Sequence, residues 1–186
     1  LSLALEKAGD LGLDLGMVAS SSWNAGGEWI EPDDASKQLL KTSQIVQGPA
    51  KKTLKISFPE NRRGPIEHYT LIASMALPFN GSTLIEDPFE KAINLDGFTR
   101  DGKTIEWDIP EGQWEVFSFF SCNTMQNLVC ASPNSNGLVI DHLSQIATQN
   151  HFDSLLSRLS TVSTEEKHLK ILMLDSYEVH MMKDWS

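Results

Sequence analysis

The pattern of hydrophobic and polar positions changes twice along the chain and divides it into three zones. In residues 1–49, apolar residues recur at helical spacing as far as Gly12, and the run LDLGMVAS at 13–20 predicts a short buried strand. Pro32 and the two acids after it predict the start of a second helix that would end near Gly48. A helix, a buried strand and another helix are typical of a parallel α/β sheet.

Residues 50–130 have a different pattern, in which short stretches of alternating apolar and polar residues are separated by turn residues. Such a pattern is typical of antiparallel strands. The clearest stretch is TIEWDIPEGQWEV at 104–116, which predicts a hairpin that turns at Pro110 to Gly112. We therefore expect an antiparallel β module to interrupt the α/β part of the chain.

Residues 131–186 return to the first pattern. After the loop SPNSNG, residues 142–160 predict an amphipathic helix with Leu143, Ile146, Ala147, His151 or Phe152, Leu155 and Leu159 on its apolar side. The run KILMLDSYEV at 170–179 then predicts a buried strand. The order of zones therefore indicates an α/β plus β fold, with an α/β domain split by the module.

Composition narrows the classes of function. The 186 residues are 40% hydrophobic, which is enough for a core, and carry a net charge of −10, which argues against nucleic-acid binding. No apolar run is long enough to span a bilayer. Cys122 and Cys130 could form one bridge or none, and they exclude a four-cysteine zinc site. The chain starts at Leu1 without a signal peptide, and we expect the natural protein to continue at both ends.

Candidate chemistry lies in the loops after the two predicted α/β strands, where ligands of such sheets bind. SSSWNAGGEW at 20–29 offers the indole of Trp23, the amide of Asn24, and two glycines, Gly26 and Gly27, that let a backbone approach a ligand. The alternative is a structural loop. Glu178 follows the last strand, where a carboxyl group could act as a general acid, although it could equally be an exposed acid at a strand end.

Four motifs in order resemble the α-L-rhamnosidases of glycoside hydrolase family 106. They are SSSWNAGGEWIEPDDASKQLLKTSQIVQGP at 20–49, TIEWDIPEGQWEV at 104–116, SPNSNGLVIDHLS at 132–144 followed by His-Phe, and ILMLDSYEV at 171–179 with a closing DWS. The resemblance implies a partial (β/α) barrel in segments 1–49 and 131–186, interrupted by the β module at 50–130. It also implies inverting cleavage of rhamnosides or plant-type polysaccharides, calcium as a cofactor, and a periplasmic or extracellular location.

The same resemblance suggests roles for individual residues. Glu178 matches the family's general acid, while Trp23, Asn24, Gly26 and Gly27 match a loop that lines the sugar site. The acid of the third motif, at position 141, suggests only structural bonding, and no metal ligand is identified. An inverting hydrolase needs a second carboxylate about 6.5 to 9.5 Å from the first. The resemblance places that residue beyond this chain, so we expect an inactive fragment whose unpaired strands favour self-association.

An alternative function is a non-catalytic carbohydrate-binding or interaction module. In that case Trp107 and Trp114 of the β module would form a sugar platform. Trp107 alternates with Ile105 and Ile109, however, which predicts that its ring faces a core.

Overall fold

The computed structural model describes residues 1–61, 64–81, 90–162 and 168–178, and these are mostly strand with few helices. The elements in chain order are α1 Ser2–Leu11, β1 Leu15–Val18, β2 Gly26–Gly27, β3 Lys37–Lys55, β4 Tyr69–Pro78, β5 Ile93–Asn94, a 3-10 turn Asp96–Phe98, β6 Thr99–Arg100, β7 Thr104–Asn123, β8 Leu138–Val139, α2 Gln145–Val162 and β9 Leu169–Met173. The chain forms two compact units. The first unit is Leu1–Gln38 with Asn123–Ser186, and the second is Leu39–Cys122.

The first unit begins as the sequence predicts, with a helix followed by a strand. Helix α1 ends at Gly12, whose φ of 64° is left-handed and whose N–H bonds the carbonyls of Ala8 and Gly9. Strand β1 then pairs in parallel with β9, and Gly16 lies opposite Ile171 and Val18 opposite Met173. The two terminal zones therefore contribute one strand each to a parallel pair.

The prediction that the last strand is buried is wrong. Ile171 is 59% exposed and Met173 is 51% exposed. In the described part of the chain the β1–β9 sheet has two strands, and so narrow a sheet leaves much of an apolar run accessible. Helix α2 shows a related difference, because Leu143 before it and Ile146 within it are exposed while Ala147, His151 and Leu155 are buried.

The described residues of the second unit form a five-stranded sheet in the order β3-β7-β4-β5, with β6 beside β7. Strands β4, β5 and β6 all make antiparallel pairs, as the sequence predicts for this part of the chain. Its core consists of inward-facing residues from several strands, namely Val46, Leu54, Ile56, Ala76, Leu95, Ile105, Trp107, Ile109, Val116, Phe120 and Cys122. The sheet therefore buries the alternating positions that define the module in the sequence.

The helix predicted after Pro32 is wrong, because Lys37–Lys55 is the long strand β3. Its side chains alternate between buried and exposed, and Leu40 and Val46 pack on the core of the second unit. Since this strand belongs to the sheet, the β unit starts at Leu39, whereas the sequence starts the module at residue 50.

The hairpin predicted at 104–116 is also wrong, because Thr104–Asn123 is one strand of 20 residues. Its two halves have different partners, since Ile105 lies opposite Thr99 of β6 and Trp114 lies opposite Pro78 of β4. The inward positions Ile105, Trp107 and Ile109 are buried as expected.

Three predicted features fall outside the described residues. These are a strand at STLIED (82–87), the end of the last strand at residue 179, and the closing DWS motif. Among the described residues, no helix is long and apolar enough to cross a membrane. Cys122 and Cys130 are both free thiols, and burial raises the pKa of Cys122 to about 11.

Candidate functional site

The loop after β1 and the segment after β9 lie side by side in the first unit. The N–H of Ala19 donates to the carbonyl of Met173 at 2.8 Å, and the N–H of Ser176 donates to the carbonyl of Trp23 at 3.0 Å. Parallel pairing brings the carboxyl ends of the two strands to the same edge. The two segments that carry candidate chemistry in the sequence are therefore neighbours.

Asn24 binds the backbone of Glu178 through both ends of its amide. Its Oδ1 accepts from the N–H of Glu178 at 2.6 Å, and its Nδ2 donates to the carbonyl of Glu178 at 3.0 Å. The Asn24 residue is only 2% exposed. One buried side chain therefore satisfies both backbone polar groups of the candidate acid.

Gln126 adds a second amide that the sequence did not indicate. Its Nε2 also donates to the carbonyl of Glu178, at 3.0 Å, and the residue is 1% exposed. Gln126 lies in an irregular stretch between two of the motifs, where no periodicity or spacing marks it. Only the folded chain brings it to a residue 52 positions away.

The carboxyl group of Glu178 is half-buried, and Ser176 lies beside it. The hydroxyl of Ser176 donates to Oε1 of Glu178 at 3.3 Å. The indole of Trp23, which is 44% exposed, lines an open cleft of about 350 Å³ together with Asp175. The remaining lining residues are Val18, Ser20, Ser21, Ser22, Val129, Cys130 and Met173. An exposed aromatic face and carboxyl groups thus share the strand edge.

Gly26 and Gly27 form β2 and are buried against β8, where Gly26 lies opposite Val139. A Cβ on Gly26 would overlap the carbonyl of Leu138, and one on Gly27 would overlap the indole of Trp29. The two glycines therefore allow their backbone to pack closely against other groups of the protein, namely the Leu138 carbonyl and the Trp29 indole. Gly26 also lines a neighbouring open cavity of about 340 Å³.

Asp141 is fully buried and has the structural bonds that its motif suggested. Its Oδ2 lies 2.9 Å from Nζ of Lys37, whose side chain is also largely buried. Its Oδ1 accepts from the N–H of Leu143 at 3.0 Å. This ion pair fixes the start of β3 to the segment that follows β8.

His151 forms a second polar cluster with Trp29. The indole N–H of Trp29 donates to Nδ1 of His151 at 3.3 Å, and the two rings stack with centroids 5.6 Å apart. The guanidinium of Arg158 lies over the indole of Trp29, 4.6 Å from the ring centroid. It also donates a hydrogen bond of 2.9 Å to the carboxylate of Glu28. Burial lowers the pKa of His151, and the nearby His142 lowers it further.

The described residues contain no group of three or more His, Cys, Asp or Glu that could hold a metal ion.

Residues 88–186, just over half of the chain, match the sequence profile of glycoside hydrolase family 106, alpha-L-rhamnosidase. The chain belongs to this family, which confirms the resemblance carried by the four motifs.

Two further proteins are similar to this chain. A Formosa agariphila protein provisionally named beta-glucuronidase is 24% identical over 203 residues, covering 91% of this chain and 17% of the relative. The structure of a rhamnosidase from Novosphingobium sp. PP1Y matches 98% of this chain and 33% of its own, with a TM-score of 0.66 and 12% identity. At that identity the likeness shows a shared fold. The chain therefore spans about a sixth and a third of the lengths of these two proteins.

Proposed function

We propose that the chain supplies part of the active site of an inverting α-L-rhamnosidase, with Glu178 as the general acid. In this proposal β1 and β9 are two strands of a (β/α) barrel, and the second unit is the β module inserted between them. The substrates are rhamnosides or rhamnose-containing plant-type polysaccharides, met in the periplasm or outside the cell. Membership of the rhamnosidase family and the fold shared with a rhamnosidase support this proposal.

The observation that carries the proposal is the position of Glu178. Two buried amides hold its backbone, and the Ser176 hydroxyl donates to its carboxyl group. The backbone carbonyl of Trp23 accepts from the N–H of Ser176, two residues before Glu178. A general acid must be held within hydrogen-bonding reach of the atom that it protonates. Such fixed placement is what an acid catalyst needs and what an incidental surface glutamate lacks.

In the proposed reaction the carboxylic acid of Glu178 donates its proton to the glycosidic oxygen as the bond to the anomeric carbon breaks. A second carboxylate removes a proton from water, which attacks the opposite face of the sugar. We propose that this second carboxylate lies outside the 186 residues, so that the 186-residue chain does not hydrolyse rhamnosides by itself. The Trp23 indole would pack against the sugar ring.

The decisive variant is Glu178→Gln in the longest gene product that contains this chain. Aryl α-L-rhamnosides with poor and good leaving groups would be compared. We expect kcat to fall by about 10² to 10⁴ for a poor leaving group and far less for dinitrophenolate, which departs without protonation. The measurement is kcat against leaving-group pKa.

Glu111→Gln is the matched control, because Glu111 is an exposed glutamate in the second unit. We expect it to leave both rates unchanged. An equal loss for all leaving groups in Glu178→Gln would contradict the role as acid. Turnover by the 186-residue chain alone, abolished by Glu178→Gln, would contradict the need for a second carboxylate from elsewhere.

The alternative function, a carbohydrate-binding module built on Trp107 and Trp114, has less support. Trp107 is 4% exposed and packs edge-to-face on Trp114 with ring centroids 5.7 Å apart. A buried ring offers no face to a sugar. Loss of oligosaccharide binding in Trp107→Ala, with an unchanged circular dichroism spectrum, would favour this alternative.

A further inference from the structure

We infer that Asn24 and Gln126 are positioning residues that fix the general acid through its backbone, and that neither is a sugar ligand. The inference rests on the proposed role of Glu178. It assigns a function to Gln126, which carries none in the sequence motifs, and it changes the role of Asn24 from lining the sugar site to holding the acid.

The geometry of Asn24 is that of a strand partner. Its amide accepts from the N–H of Glu178 at 2.6 Å and donates to the carbonyl of the same residue at 3.0 Å. Because the residue is 2% exposed, it presents almost no surface to a ligand. Its hydrogen bonds therefore act on the backbone of Glu178.

Gln126 completes the arrangement. A carbonyl oxygen has two lone pairs, so the carbonyl of Glu178 can accept from Asn24 and from Gln126 together. Gln126 is itself fixed at its backbone, since its N–H donates to the hydroxyl of Thr124 at 3.1 Å and its carbonyl accepts from Val139 at 2.9 Å. Hydrogen bonds therefore link β8, through Gln126, to the backbone of Glu178.

Glu178 needs this support because it lies five residues beyond the end of β9 at Met173. Residues 174–178, the described part of the segment after β9, belong to no strand, and the two amides take the place of ladder bonds at Glu178. A displacement of about 1 Å in a catalytic group can cost about 10²-fold in rate. We therefore expect loss of the amides to lower kcat more than it changes KM.

Asn24→Asp tests the inference with nearly unchanged shape. A protonated aspartic acid offers one donor and one acceptor, like asparagine, whereas an ionised one places a second acceptor against the carbonyl of Glu178. The quantity measured is the ratio of the variant's kcat to the parent's kcat at each pH, both in the longest gene product. We expect this ratio to be about 10- to 100-fold below 1 at pH 7.5 and to return towards 1 at acidic pH. Gln126→Glu should show the same recovery with a comparable loss, because it too removes one of the two donors to the carbonyl of Glu178.

Asn134→Asp is the matched control, since Asn134 lies exposed in the loop before β8. Its kcat ratio should stay flat with pH. A flat ratio in both Asn24→Asp and Gln126→Glu would overturn the inference, as would a loss confined to KM. If Asn24→Asp does not fold at pH 7.5, Gln126→Glu alone decides between these outcomes.

A second measurement is independent of catalysis. Amide hydrogen exchange in the ¹⁵N-labelled 186-residue chain should show a protected N–H at Glu178, with protection reduced about 10-fold or more in Asn24→Asp at pH 7.5. Unchanged protection would contradict the inference that the Asn24 amide holds the backbone of Glu178. If the loss of protection is observed but Glu178→Gln shows no dependence on the leaving group, the proposed function fails while the structural part of the inference stands.

Discussion

At the scale of a single residue, His151 is a fully buried imidazole in contact with the aromatic rings of Trp29 and Phe152. Its Nδ1 accepts from Trp29, so the opposite nitrogen, Nε2, carries the proton in the neutral ring. That nitrogen is buried without a hydrogen-bond partner among the described residues. In an imidazolium, Nδ1 would carry a proton and could no longer accept the hydrogen bond from the Trp29 N–H. Burial also lowers the pKa of His151.

This lowered pKa predicts acid sensitivity of the first unit. The unfolded chain protonates His151 near its ordinary pKa of about 6.5, whereas the folded chain does so at lower pH. Between these two values the unfolded state binds more protons, so the free energy of unfolding decreases as pH falls through this window. Below the folded pKa this residue adds no further slope.

His151→Asn tests the prediction, because an asparagine oxygen can still accept from Trp29. We expect the substitution to cost about 1–3 kcal/mol at pH 7.5, through lost stacking, and to flatten the decline in stability between pH 7.5 and 5. Urea unfolding at a series of pH values measures both effects. His168→Asn serves as the control in the same unit, and an undiminished pH dependence in His151→Asn would contradict the assignment.

At the scale of elements, the short β2–β8 pair depends on its glycines. The Cβ of an alanine at position 26 would overlap the carbonyl of Leu138, which is backbone and cannot rotate away. Gly26→Ala should therefore lower the free energy of unfolding by about 3 kcal/mol without any sugar present. Gly97→Ala is the control, because no atom lies within 4 Å of its added Cβ, and we expect a change within about 0.5 kcal/mol.

Thermal or urea unfolding of the two alanine variants measures this difference. A stable Gly26→Ala variant with weakened rhamnoside binding in the longest gene product would show instead that the glycine serves the ligand. The same comparison explains why a Gly-Gly pair is ambiguous in a sequence. Close approach of backbone to backbone and of backbone to sugar require the same absence of a side chain.

The elements that the sequence predicted correctly are those with local signals. Helix α1 has a helical apolar period and a glycine at its end, and the strands of the second unit alternate over several residues. Strand β3 was missed because its inward positions mix apolar Leu40 and Val46 with polar Gln38, Thr42 and Gln44. No hydrophobic period results, and only pairing with β7 makes the segment a strand.

The candidate site follows the same rule. Trp23, Asn24 and Glu178 were accessible to sequence reasoning because parallel strands bring their carboxyl ends together. Gln126 and Ser176 act through contacts that depend on the folded chain, and neither residue type is distinctive in a loop. The apolar residues of β9 predicted a buried strand. Burial also requires other elements packed against the strand, and the sequence of the strand does not indicate these.

At the scale of the whole molecule, two features oppose each other. The chain has a net charge of −10, which disfavours association of like copies. The β1–β9 pair nevertheless exposes the apolar residues Val18, Ile171, Leu172, Met173 and Leu174, each more than a third exposed. Val18, Ile171 and Met173 share one face of the pair, because Val18 lies opposite Met173 and alternate residues of a strand point the same way. Accessible apolar patches on a narrow sheet favour contact with another apolar surface or strand edge.

We therefore propose that the 186-residue chain self-associates through this surface, and that salt strengthens the association by screening the charge. Ile171→Lys combined with Met173→Lys should keep the chain monomeric, because both side chains are more than half exposed and a lysine there meets water. Sedimentation velocity at several protein concentrations, in low and high salt, measures the effect. Ile146→Lys is the control, because this residue of α2 is more exposed than either but lies outside the sheet. A monomer at all concentrations, or equal effects of the sheet and helix substitutions, would contradict an association that runs through β9.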